Sequence, residues 1–172
     1  SEAPSTISGV AIGRNTRMIA GHSNGQPSRK MSASTSSSIT TGGNGSASIV
    51  SVIQFAVEHL KVRHVIVCGH YGCSGVRAAL GRDRLGLVEN WLRHVQDVRN
   101  KHADVISALA EAAAQADRLC ELNVIEQVGN VALSTVLQDA WARGQQVAVH
   151  GWVYGLRDGL LKDLGVTMDR PE

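Results

Sequence analysis

Val62, Val65, Ile66, Val67 and Cys68 form a β-branched run around Arg63 and His64, and Gly69 stops it. A run with so few polar positions does not suit a sheet with one wet face. It reads as a strand buried on both faces, the pattern of a parallel sheet between layers of helix. The flanking sequence agrees. Ile49, Val52, Ile53, Ala56 and Leu60 recur at three- and four-residue steps, which predicts a helix over 48–60 ending beside His59 and Lys61, cations suited to its negative end. After the strand, the spacing predicts a short helix over 72–80, helices over 85–98 and 104–116, and the longest over 117–143, closed by Gly144. Val147, Ala148 and Val149 give a second buried strand. A last short helix is predicted over 156–164, with Arg157, Asp158, Lys162 and Asp163 outward. This order predicts an α/β fold with a parallel β-sheet core flanked by helices.

Length and charge bound the function. The chain has 172 residues, 17 basic and 15 acidic side chains, and 43% apolar residues. One domain over 1–172 is expected, large enough to bury a core without disulfide staples. No apolar run reaches the roughly 18 residues of a membrane span, and the near-neutral balance gives no basic field, so neither membrane nor nucleic acid is an expected partner. Three cysteines at irregular spacing do not form a disulfide framework, and a reducing, cytoplasmic setting is expected. Residues 1–48 stand apart: they contain no Leu and no aromatic, and Ser, Gly and Thr crowd them. Within them Val10-Ala11-Ile12-Gly13 reads as a strand ending in a turn, and Met18-Ile19-Ala20 as a weaker apolar patch. The sheet is then short, so either this segment completes it from poor material or partner subunits do.

Chemistry concentrates at Cys68-Gly69-His70-Tyr71-Gly72-Cys73-Ser74-Gly75-Val76, where a buried strand ends and a helix begins. Open parallel sheets bind ligands at that edge. His70 and Cys73 are three apart across a glycine-rich turn, a spacing that lets an imidazole and a thiolate converge on one metal, and the positive end of a helix beside Cys73 favours the thiolate. On spacing alone a packed loop explains the pair as well, since two ligands do not make a zinc site. Cys68 and Cys120 read as small buried hydrophobes, His22 as a loop residue without a partner at ligand spacing, and His59, His64, His94 and His102 as solvated surface. His150 reads as a hydrogen-bonded structural histidine, Trp91 and Trp141 as packing.

Several stretches together carry a family resemblance: Ser51-Val52-Ile53-Gln54-Phe55-Ala56-Val57-Glu58-His59-Leu60, then Gly69-His70-Tyr71-Gly72-Cys73, Leu85-Gly86-Leu87-Val88-Glu89-Asn90-Trp91-Leu92, Leu119-Cys120-Glu121-Leu122-Asn123-Val124 and His150-Gly151-Trp152-Val153-Tyr154-Gly155. In order and spacing they resemble a bacterial β-class carbonic anhydrase. The resemblance implies a parallel sheet flanked by helices, a homodimer or homotetramer, a zinc ion (Zn2+) held by two cysteines and one histidine, and reversible hydration of carbon dioxide to bicarbonate. His70 and Cys73 match two of the metal ligands. The family's Cys-x-Asp-x-Arg turn, which supplies the other thiolate and a catalytic Asp/Arg pair, falls on Arg14-Asn15-Thr16-Arg17-Met18 if the spacing is kept. Arg14 cannot bind zinc because its guanidinium stays protonated, Thr16 is no carboxylate, and Met18 cannot hold one. No Cys, Asp or Glu lies between Ala3 and Val57 to replace them. The resemblance therefore implies a zinc carbonic anhydrase, with two alternatives: a zinc-poor, non-catalytic homo-oligomeric binding or scaffold protein, or a carbon disulfide or carbonyl sulfide hydrolase on the same fold.

Overall fold

The computed structural model describes the backbone of residues 9–13, 39–40, 45–81, 86 and 89–171, and the side chains of 50–81, 86 and 92–171. Arg14, Thr16, Met18, His22 and the Met18-Ile19-Ala20 patch lie outside the described residues, as does the Trp91 side chain. Five strands, β1 (Gly9–Gly13), β2 (Ile39–Thr40), β3 (His64–His70), β4 (Ala148–Tyr154) and β5 (Leu161–Met168), form one sheet in the order β2-β1-β3-β4-β5. The described helices are α1 (Gly45–Gln54), continued by a π-helical turn over Phe55–His59, α2 (Ser74–Leu80), α3 (Glu89–Lys101), α4 (Ala103–Ser107), α5 (Ala112–Ala132) and α6 (Thr135–Ala142).

The β-branched run is β3, at the centre of the sheet, with Val65, Ile66 and Val67 buried. It pairs in parallel with β4, His64 opposite Ala148 and His70 opposite Tyr154. The α/β class holds, but the sheet is mixed rather than all parallel. Among the described pairs only β3 and β4 run together, while β1 lies antiparallel to β3 and β5 antiparallel to β4. The expected strand at Val10–Gly13 is present as β1, and its direction places Gly9 opposite Cys68 and Gly13 opposite His64.

Three expected helices differ. Instead of a helix over 156–164, the chain turns at Leu156–Asp158 and enters β5, where Leu164, Val166 and Met168 pack against the core at every second residue. The Leu156, Leu160, Leu164 spacing fits a helix, but Gly159 and Gly165 both sit at φ +71°, and the period-two pattern decides the outcome. The helix expected over 117–143 starts earlier and breaks at Leu133-Ser134. Ser134 is extended, its hydroxyl bonds Val131 O at 2.6 Å, and α6 begins after it, an instance of a serine side chain competing for helix backbone. The helix expected over 104–116 is two pieces, α4 and the start of α5, with residues 108–111 between them.

Helix α5 organises the core. Ala116, Leu119, Cys120, Asn123, Val124 and Val128 recur at three- and four-residue steps and are buried. This face packs on β3, β4 and β5 inside the same chain. The apolar stripe of α5 is thus covered within the chain. The helix comes close because Gly69 and Gly151 carry no side chain: a Cβ on Gly69 would stand 2.7 Å from Val124 Cγ2, and one on Gly151 3.1 Å from Val128 Cγ2.

Candidate metal centre

β3 delivers His70 to the edge of the sheet, and α2 starts four residues later at Ser74. Gly72 makes the corner at φ +73°, a left-handed conformation that disfavours any side chain. Tyr71 N–H donates to Tyr154 O at 3.0 Å, so the corner stays tied to β4 one residue past the ladder. Cys73 precedes α2 with extended backbone, its carbonyl accepts from Arg77 N–H at 3.1 Å, and its side chain is buried in the core cluster.

His70 is half-buried, with Nδ1 3.2 Å from Tyr71 O. A carbonyl only accepts, so Nδ1 carries the proton and Nε2 the lone pair, the tautomer a metal-binding histidine needs. Under the turn, Cys120 Sγ–H donates to His70 O at 3.2 Å. Burial, with Cys73 nearby, pushes the Cys120 thiol up to about 12, so it is a protonated packing group. Burial also raises the half-buried Cys68 thiol.

Between the two candidate ligands, Tyr71 reaches a charged cluster assembled from α5 and β5. Its hydroxyl donates to Glu121 Oε1 at 2.6 Å; Lys162 Nζ donates to the same oxygen at 2.7 Å and lies 3.2 Å from the hydroxyl; Arg118 donates to Glu121 Oε2 at 2.9 Å. Burial works against charge on Glu121, but bonds from Lys162, Tyr71 and Arg118 outweigh it and hold the carboxyl below its usual range. Burial, then the bond to Glu121, raises Tyr71, and Glu121 in turn raises Lys162. The i,i+3 spacing of Arg118 and Glu121 was the only local hint.

His70 and Cys73 have the chemistry of zinc ligands, but the described residues do not complete a coordination shell. No group of three or more His, Cys, Asp or Glu side chains among them is arranged to hold a metal. The other described histidines are engaged elsewhere or exposed. His64, expected as solvated surface, is half-buried with Nδ1 3.2 Å from His150 Nε2, and His150 Nδ1 is 3.0 Å from Thr167 Oγ1. His102, expected likewise, pairs with Glu126 at 3.2 Å. His59 and His94 are exposed.

The carbonic anhydrase family pattern matches residues 29–161. The chain belongs to the carbonic anhydrase family. A carbonic anhydrase of Emericella nidulans is 46% identical over 119 residues, 69% of this chain and 52% of the relative, and one of Candida albicans is 31% identical over 70% of this chain and 43% of its own length. The chain thus spans about half the length of those curated relatives. Among solved structures, a Coccomyxa β-carbonic anhydrase in complex with acetazolamide superposes with a TM-score of 0.67 at 40% identity, covering 70% of this chain and 55% of that one. A tetrameric β-carbonic anhydrase from Sordaria macrospora gives 0.66 at 32% identity, covering 71% and 62%.

Proposed function

We propose that this chain is a β-class carbonic anhydrase subunit acting on carbon dioxide and bicarbonate, with His70 and Cys73 facing a zinc ion. The observation that carries the reading is the β3–α2 corner, which places His70, with Nδ1 turned to the Tyr71 carbonyl, at the end of β3 and the buried Cys73 at the head of α2, three residues apart across the Gly72 turn. Zinc, when bound, would supply the acidity that makes water a nucleophile at neutral pH. The chain's own contribution is orientation: the Tyr71 carbonyl fixes the His70 tautomer, Gly72 turns the backbone, and Tyr154 O ties the turn to β4. The tetrameric Sordaria relative supports a homo-oligomer. Three unpaired cysteines suit a reducing, cytoplasmic setting.

A second reading, a zinc-poor homo-oligomeric scaffold, is favoured by the direction of β1, which takes the chain at Gly13 to the His64 end of β3, away from His70. Zinc content, intact mass and carbon dioxide hydration measured on one preparation separate the two. One zinc per chain with hydration that Cys73→Ser abolishes supports the enzyme, because a serine hydroxyl is a poor substitute for thiolate. A folded chain of the written mass with substoichiometric zinc and no hydration supports the scaffold.

A further inference from the structure

We propose that Glu121 is a positioning residue for the His70–Cys73 turn, holding it through the Tyr71 hydroxyl. Glu121 receives donors from three places: Tyr71 in the turn, Lys162 on β5 and Arg118 on its own helix. Its side chain is only 14% exposed. A carboxylate so enclosed needs these bonds to stay charged, and removing one partner leaves the others with an uncompensated group. The neighbouring residue works on the same turn, since Cys120 donates to His70 O and would stand 3.1 Å from a Cβ on Gly69. Two consecutive residues of α5 thus grip two consecutive residues of the turn, one by its carbonyl and the other by its side chain. Lys162 closes the arrangement from β5, contacting both Glu121 and the Tyr71 hydroxyl. Glu121 touches neither His70 nor Cys73 through a ligating atom in these contacts, so its part is to fix where the turn lies.

The purpose of that grip rests on the reading of His70 and Cys73 as metal ligands, but its existence does not, and the test uses metal-free protein. In the full chain, after chelation, alkylation of Cys73 by iodoacetamide is followed by peptide mass spectrometry for wild type, Tyr71→Phe, Glu121→Gln and the same-helix control Glu126→Gln. Amide hydrogen exchange over 122–132 reports global opening. Loss of one charge-assisted bond is expected to raise Cys73 alkylation about tenfold in Tyr71→Phe and Glu121→Gln, with exchange over 122–132 unchanged and the control at the wild-type rate. Alkylation at the wild-type rate in both variants overturns the proposal, and so does a rise matched by exchange over 122–132, which would make the contacts merely structural. Tyr71→Phe removes one oxygen and preserves the packing of the ring, so a folded variant is available. Cobalt(II) titration of the wild type is read separately: absence of a thiolate-to-cobalt absorption band counts against the metal reading and leaves the alkylation result standing.

Discussion

At the scale of single residues, His64 and His150 illustrate how burial sets a pH limit on the fold. Their nitrogens are 3.2 Å apart, so one ring donates and the other accepts, and the bond is lost when both carry two protons. Burial lowers both below the ordinary imidazole value of 6.5; Arg63 adds to the effect on His64 and His64 to that on His150, while Asp163 and Asp169 partly oppose it. A histidine with a depressed folded pKa is protonated more readily in the unfolded chain, so its contribution is complete above about pH 6.5 and is lost as pH falls through the folded value. Glu121 and Glu126, held below the usual carboxylate value of 4.5, stay charged through that window and fail only at lower pH. The urea midpoint should therefore decline as pH falls below about 6.5, and His150→Gln should flatten the decline. An equal slope in both proteins would remove the pair as its cause. Packing gives a second residue-scale prediction. Gly69→Ala forces a Cβ to 2.7 Å from Val124 Cγ2, a side chain with no exposed surface, so the variant should lose about 1–3 kcal/mol in denaturant titration.

At the scale of elements, the junction between α6 and β4 depends on Trp141, whose buried indole N–H donates to Val147 O at 2.8 Å. Trp141→Phe keeps much of the apolar contact but leaves that carbonyl unpaired, and calorimetry should show a loss of about 1–3 kcal/mol. Elements of this kind were largely legible in the sequence, for local reasons. The β3 run, the Gly72 corner and the Val147–Val149 strand each carry their signal within a few residues. Residues 156–164 were misjudged because their leucine spacing fits two periods, and only pairing with β4 selects the strand. The break at Ser134 was missed because its decisive bond is a side chain reaching a backbone carbonyl, a choice that propensity alone does not make. The site divides the same way. His70 and Cys73 share one turn and were legible. Glu121 and Lys162 lie 50 and 91 residues from Tyr71, and only the packing of α5 and β5 on β3 and β4 brings the three together.

At the scale of the whole molecule, strand direction decides what can join His70 and Cys73. Family spacing puts the missing thiolate, carboxylate and arginine at Arg14, Thr16 and Met18, and in a parallel first strand the turn that follows would emerge beside His70. Here Gly13 pairs with His64, and six residues of strand, about 20 Å, separate His64 from His70. The described end of β1 therefore lies at the far end of β3 from the His70 imidazole. The triple variant Arg14→Cys, Thr16→Asp, Met18→Arg restores the family's chemistry at the family's positions. The antiparallel β1 predicts that it gains no zinc per chain over the unaltered protein after dialysis against trace metal, and no hydration activity. A parallel strand predicts the reverse, one zinc per chain with hydration that the further change Cys73→Ser abolishes. Metal content and intact mass on matched preparations distinguish the two, and a gain to one zinc per chain would overturn the strand direction on which the scaffold reading depends.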